Sequence, residues 1–441
     1  MDPNMTRRNF VAAAGAMSVA PVSLGAAERP ALLGGKPACT AKFPSWPIFD
    51  EREEKALAEV LRSGHWWRGS GQKVAEFEAA YAKLTGAKAC VTTVNGTNAL
   101  FTSLNVLGVR AGDEVLVTPF TFIATINVIV RQHALPVFVD SDPETFLMDP
   151  KKLPELVNER TKAIMPVHIG GNAVDMDGVM AVARKHKLAV IEDACQAWVT
   201  QWKGRNAGLW GDCGCFSFQA SKNINSGEGG AIISNNEDFI DRCWSFHNQG
   251  RPRRGTGGEF SYTISGSNLR MTEFQAAVLL AQLTRFEEQT QRRIENATYL
   301  SSMLKEVPGI RPAKMYPGCT RNAYHLFMIH YDKNHFAGMP RARFLKALNA
   351  EGVRFSAGYS SHRNIPFLRG LAQDPVYRAL FGAERLAKWE KQSFDLPANE
   401  RVCEEHAWCA QNILLADRSA MEQIAEGFRK VQKNAAQLAK A

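Results

Sequence analysis

The sequence predicts an α/β protein, with a mainly parallel central sheet in a large domain and a smaller α+β domain at the C-terminus. Three observations carry this. Short, nearly continuous apolar runs recur from residue 89 to 234 and alternate with stretches of helical spacing, the pattern of parallel strands buried on both faces. One long helical stretch, Met271 to Glu306, then ends the alternation. Beyond it, strand and helix signals mix without that repeat. The 441 residues, 45% hydrophobic and 22% charged, are enough for two domains with ordinary cores.

The N-terminal 27 residues are set apart from the fold. Thr6-Arg7-Arg8-Asn9-Phe10-Val11 precedes the small and apolar stretch Ala12 to Gly25, then Ala26-Ala27-Glu28. A basic segment, an apolar segment and small residues, in that order, read as a secretory signal. The paired arginines before Phe10 resemble a twin-arginine (Tat) signal, which carries folded proteins. The expectation is export to the periplasm, with a cytoplasmic location as the alternative. No later segment is apolar for long enough to span a bilayer.

The large domain is assigned to residues 28–289 and the small one to 290–441. Phe49 to Leu61 and Val74 to Leu84 have helical spacing, separated by the glycine-punctuated loop Ser63-Gly64-His65-Trp66-Trp67-Arg68-Gly69-Ser70-Gly71. Strands are expected at Ala89 to Thr92, Glu114 to Thr118, Pro136 to Val139, Ala163 to Val167, Ala189 to Ile191, Gly214 to Phe218 and Ala231 to Ser234. Helices are expected at Asn98 to Leu107 and Met176 to His186. In the small domain a strand is expected over Tyr324 to Tyr331. Helices are expected over Pro340 to Glu351, His406 to Leu414 and Ala420 to Leu438.

Net charge is +9, but the basic residues are dispersed, and the densest cluster is only Arg251, Arg253 and Arg254. A solvated basic surface fits better than a nucleic-acid footprint. Nine cysteines, with no paired Cys-x-x-Cys, give neither a disulfide framework nor a zinc site. His247, His325 and His362 lie apart from one another and read as structural residues, so no metal is expected.

The chemistry concentrates at strand ends, where ligands of such sheets bind. Phe216-Ser217-Phe218-Gln219-Ala220-Ser221-Lys222 ends a strand in a lysine, before the turn Gly227-Glu228-Gly229-Gly230. Glu192-Asp193-Ala194-Cys195-Gln196 ends another strand in a carboxylate. A lysine and an aspartate so placed are what pyridoxal 5'-phosphate (PLP) needs. The amine forms a Schiff base with the cofactor aldehyde, and the carboxylate keeps the pyridine nitrogen protonated. Asn95-Gly96-Thr97-Asn98 opens a helix after a strand, where free N–H groups favour phosphate; a plain helix cap is the competing reading. Ser217 is a candidate second phosphate ligand. Phe122, in Thr121-Phe122-Ile123-Ala124-Thr125, is a candidate to stack on the pyridine ring, and Gln196 to reach its phenolic oxygen.

Together these motifs, with Gly112-Asp113-Glu114-Val115 and Asn268-Leu269-Arg270 before Phe274-Gln275-Ala276-Ala277, resemble the DegT/DnrJ/EryC1/StrS aminotransferases. These are PLP-dependent sugar aminotransferases of fold type I. The resemblance runs from about residue 43 to the C-terminus. It implies Lys222 as the Schiff-base lysine and proton carrier, and Asp193 at the pyridine nitrogen. It implies Gln196 at the phenolic oxygen, Gly96, Thr97 and Ser217 at the phosphate, and Phe122 on the ring. Asn268 would reach the phosphate in the partner subunit of a homodimer with shared sites. Trp66-Trp67-Arg68, Phe218-Gln219, Gly250-Arg251-Pro252-Arg253 and Phe355-Ser356-Ala357-Gly358-Tyr359 are most similar to the 3-amino-5-hydroxybenzoate synthase and cyclitol aminotransferase branch. There Trp66, Arg68, Arg251 and Tyr359 would lie near the substrate. The implied reaction moves an amino group from glutamate or glutamine to a keto-sugar or keto-cyclitol. A PLP-dependent dehydratase or aromatising enzyme, and an exported non-catalytic binding protein, are the alternatives.

Overall fold

The computed structural model describes residues 29–253 and 261–440. The signal assigned to residues 1–27, and Arg254, lie outside the described residues. The large domain begins with helices α1 (Glu51–Ser63) and α2 (Lys73–Thr85). Asp50 starts α1 through a capping box with Glu53, which satisfies two amides that have no partner within the helix.

Seven strands follow in the main sheet: β1 (Ala89–Thr93), β2 (Glu114–Val117), β3 (Leu135–Phe138), β4 (Thr161–Met165), β5 (Ala189–Asp193), then β8 (Cys213–Ser217) and β9 (Gly230–Ser234). Between β5 and β8 lies the short hairpin of β6 (Gln201–Trp202) and β7 (Arg205–Asn206). The sheet order is β1-β9-β8-β5-β4-β2-β3. Only β9 runs antiparallel to its neighbours, β1 and β8; the other pairs are parallel. Nearly every strand residue is buried, the reason the strands read as unbroken apolar runs rather than alternating ones. Helices α3 (Gly96–Val106), α4 (Ile123–Val130), α5 (Met176–His186) and α6 (Glu237–His247) are interleaved with these strands. The pairing of β5 with β8 sets Asp193 opposite Cys215. Ser217 and the loop holding Lys222 therefore rise just past the carboxylate.

Helix α7 (Glu273–Leu304) opens with a capping box between Thr272 and Gln275. It runs unbroken across residue 290 and joins the two cores. Its C-terminal half packs in a second core with β10 (Ile310–Pro312), β12 (Leu326–Tyr331), β13 (His406–Ala410), α8 (Arg341–Ala350) and α12 (Arg418–Lys433). Strands β10, β12 and β13 form an antiparallel sheet, while β11 (Cys319–Arg321) returns to pair with β6.

The structure corrects the small domain in three places. Residues 406–414 form strand β13 and a 3-10 turn rather than a helix. Their apolar side chains pair with β12, and that pairing overrides local spacing. The predicted helix 420–438 is two helices, α12 and α13 (Ala435–Lys440), broken at Asn434. Helices α9 (Pro366–Gly370), α10 (Pro375–Ser393) and α11 (Pro397–Glu405) pack into the large-domain core through Leu368, Tyr377, Trp389 and Val402. Trp389 Nε1 donates to the Pro136 carbonyl at 2.6 Å, and Arg385 grips the buried Glu114 carboxylate at 2.6 and 2.7 Å. All nine cysteines are free thiols.

Candidate active site

A cavity of about 510 Å³ opens where strands β5 and β8 end. Gly96, Thr97, Phe122, Asp193, Gln196, Ser217, Lys222 and Tyr359 all line it. Residues more than 250 positions apart in the chain thus converge on one space. Trp66, Arg68, Arg251 and Asn268 are not among its lining residues within one chain. Trp66 and Asn268 are exposed. Arg68 is turned into the protein, where it pairs with the Glu78 carboxylate at 3.0 Å and touches His247 Nε2 at 3.0 Å.

One wall is built for an anion. Asn95 caps α3 by accepting from the Asn98 amide at 2.9 Å. The N–H groups of Gly96 and Thr97 belong to the first turn and have no intrahelical acceptor. A Cβ on Gly96 would lie 2.7 Å from Ser217 Cβ and 3.0 Å from Cys195 Sγ. Only glycine lets the helix start this close to the end of β8.

Asp193 is 4% exposed and held on both oxygens. Oδ2 accepts from Thr125 Oγ1 at 2.7 Å, and Oδ1 from the Cys195 amide at 3.1 Å. Thr125 Oγ1 also touches Thr121 Oγ1 at 2.8 Å. The preceding Glu192 is fully buried and accepts from the amides of Gly208, Trp210 and Gly211. His168 Nε2 adds a contact at 3.0 Å. This fixes the end of β5, and with it the carboxylate that faces the cavity.

Lys222 sits in the loop after β8, its Nζ 6.0 Å from the ring centre of Trp198. Burial pushes its pKa below the ordinary lysine value, and the nearby Cys195 and Asp193 oppose that shift only partly. A neutral amine becomes more accessible, as a nucleophile or a base requires. Gln196 is locked at both ends: Oε1 accepts from Gly170 N at 2.8 Å, and Nε2 donates to the Tyr359 hydroxyl at 2.9 Å. Burial raises the Tyr359 pKa to about 12, so the phenol keeps its proton. Phe122 is 56% exposed at the rim, an aromatic face free to cover a flat ring.

Thr125, Cys195, His325 and Trp408 are among the lining residues that carried no site role in the sequence reading. Thr125 had a signal. Thr121 and Thr125 flank the start of α4, and a threonine in the first turn after a strand end lies where ligands of such sheets bind. His325 had none, because only folding brings β12 to the lysine loop. Its Nδ1 lies 3.1 Å from Asn223 Oδ1, and burial drives its pKa well down, leaving a neutral ring.

A phosphate cradle, a pinned carboxylate, a desolvated lysine and an open aromatic face are the donor set that PLP needs, and the residues present fit it. The sequence matches the family model described as DegT/DnrJ/EryC1/StrS aminotransferase family over residues 47–409. The chain belongs to that family. It is an enzyme, an aminotransferase, and PLP is the cofactor that the family implies. The chain is 34% identical over 419 residues to the L-glutamine:scyllo-inosose aminotransferase of Streptomyces griseus, covering 92% of this chain and 97% of that protein. It is 34% identical over 422 residues to the L-glutamine:2-deoxy-scyllo-inosose aminotransferase of Streptomyces fradiae, covering 93% and 99%. The crystal structure of 3-amino-5-hydroxybenzoic acid synthase superimposes with a TM-score of 0.77 at 30% identity, covering 89% of this chain and 98% of that one.

Proposed function

We propose that this aminotransferase moves an amino group from L-glutamine to the ketone of a cyclitol, with PLP held on Lys222. The observation that carries the reading is the convergence of Lys222 and Asp193 on one cavity beside the Gly96–Ser217 cradle. PLP, when bound, supplies an aldehyde that accepts the amino group and a ring that delocalises the electron pair left by proton removal. Asp193 holds a proton at the ring nitrogen. Gly96, Thr97 and Ser217 hold the phosphate, Phe122 covers one ring face, and Gln196 lies at the phenolic oxygen. Lys222, with its depressed pKa, takes the proton from the donor's Cα and returns it on the acceptor side. The glutamine donor and keto-cyclitol acceptor follow the names of the relatives.

Saturation with PLP, followed by the near-visible spectrum with L-glutamine or L-glutamate, tests this. The yellow absorption should bleach with L-glutamine, return on adding a keto-cyclitol with formation of an amino-cyclitol, and be absent from Lys222→Ala. PLP that binds but is bleached by neither donor would overturn the reading. The structural likeness to 3-amino-5-hydroxybenzoic acid synthase favours a second reading, in which dehydration accompanies the reaction. An unsaturated or aromatic product would select it.

The site is proposed to be completed in a homodimer. Trp66 and Phe122 are exposed, and Asn268 and Arg251 lie outside the cavity of their own chain. Sedimentation showing a monomer at working concentration would refute this. Export by the twin-arginine route is proposed from the residues before Glu28. Finding the protein only in the cytoplasmic fraction would remove it.

A further inference from the structure

The chain before α1 does more than lead into the fold. Residues 31–39 are stapled to the small domain. Glu351 accepts from the amides of Ala31 and Ala38 at 2.6 and 2.9 Å, and pairs with the buried Lys430 at 2.9 Å. At the other end, Gln282 and Arg285 of α7 donate to the Ile48 carbonyl at 2.9 and 3.1 Å. Between these anchors, Asn412 Nδ2 donates to the Pro44 carbonyl at 2.9 Å. The strap is thus fixed along its length to α7 and the small domain.

Its one tryptophan reaches the catalytic loop. Trp46 Nε1 donates to the main-chain carbonyl of Lys222 at 3.1 Å. The indole is itself seated on the guanidinium of Arg293, 5.3 Å from the ring centre. Arg293 is fully buried and held by Gln411 Oε1 at 2.6 and 2.9 Å. The lysine loop is closed lower down by main-chain bonds, Phe218 to Gly229 and Ala220 to Gly227. At Lys222 itself, the N–H donates to Gln219 O at 2.8 Å. The carbonyl receives Trp46 and, more weakly, Asn225 Nδ2 at 3.4 Å. A lysine whose backbone is held on both sides of its Cα delivers its amine to one place.

We propose that Trp46 is a positioning residue for Lys222, setting the reach of the amine from outside the cavity. This rests on the reading of Lys222 as the lysine that carries PLP. A reacting group must be held to within about half an ångström to work well, and one hydrogen bond lost from the carbonyl is worth up to about tenfold.

The test is the rate at which cofactor-free protein attaches PLP to Lys222, trapped with borohydride and read as the mass of the Lys222 peptide. Trp46→Phe keeps a ring over Arg293 and removes the N–H. It should slow attachment about tenfold and lower kcat by a similar factor, with KM for L-glutamine within twofold of wild type. Asn412→Ala loosens the same strap without touching Lys222. It should lower thermal stability yet attach PLP at the wild-type rate. If Trp46→Phe fails to fold, 3-benzothienylalanine at position 46 keeps the shape of tryptophan without its N–H and should give the same slowing. A wild-type rate in either position-46 variant overturns the proposal, and so does equal slowing in Asn412→Ala. Wild-type protein that traps no PLP at Lys222 overturns the underlying reading, an outcome told apart because it needs no substitution.

Discussion

Replacing Gly96 by alanine places one methyl group where three atoms already stand. Its Cβ would lie 2.7 Å from Ser217 Cβ, 3.0 Å from Cys195 Sγ and 3.2 Å from Ser217 Cα. Relaxed carbon contacts sit at about 3.5–4.0 Å, so α3 and β8 must part by nearly an ångström. None of these atoms is the free end of a long side chain; each is at or one bond from a Cα or Cβ fixed in the site. Gly96 is not among the glycines with positive φ, so the cost is steric and not conformational. Overpacking of this kind costs about 1–3 kcal/mol, which is a fall of a few degrees in Tm. The larger effect should fall on the cofactor, because the same shift moves the Gly96 and Thr97 amides away from Ser217. Charge-assisted hydrogen bonds are worth about 1.5–3 kcal/mol, so PLP should bind about ten- to a hundredfold more weakly. The assay is a PLP titration by absorbance, with Tm measured in parallel. Gly96→Ala with Ser217→Gly removes the nearest clash and should restore Tm but not affinity, since it also deletes the hydroxyl. A Gly96→Ala protein with wild-type Tm and a Kd within twofold of wild type would refute the cradle.

Other outcomes follow from the same geometry. Arg385→Gln strips two bonds from the fully buried Glu114, leaving Asn158 Nδ2 at 2.8 Å as its side-chain donor. An uncompensated buried charge costs about 3–5 kcal/mol; urea unfolding should show the loss, and PLP affinity should not change. Acid should weaken the fold before it attacks the chemistry. Burial, and then Arg68, hold the His247 pKa down at about 3; burial, and then Arg341, do the same for His406. Between about pH 6.5 and 3 the unfolded chain binds more protons than the folded one, so this stability is complete above pH 6.5 and lost as pH falls. Each histidine contributes about 1.4 kcal/mol per pH unit, or about 2 kcal/mol by pH 5. A urea midpoint that is flat from pH 8 to 5 would contradict this.

Helix α5 falls on the predicted bounds because its apolar positions face the sheet, and capping and packing agree there. The large-domain strands are legible for a similar reason: both faces are buried, so composition alone marks them. Lys222, Asp193 and the Gly96 turn are legible as candidates because each is a chemically distinctive residue at a strand end, where ligands of such sheets bind. The C-terminal third is less legible. Residues 406–410 carry apolar spacing that fits helix or strand, and only the partner β12 selects strand. Helices α9 to α11 read as part of a small domain, yet α10 is anchored on Glu114, Ala134 and Pro136, more than 200 residues earlier.

The sequence by itself determined the sheet class, the aminotransferase family and the place of the candidate residues Lys222, Asp193 and Gly96 at strand ends. Those depend on residue type and local spacing. Only the tertiary structure decided what surrounds them: Thr125 on the carboxylate, Tyr359 on Gln196, His325 beside the lysine loop, and Trp46 on the lysine carbonyl. Apart from Thr125, these partners lie more than 100 residues from the group they hold. No local pattern encodes such pairs, because each exists only once the two cores have closed around α7.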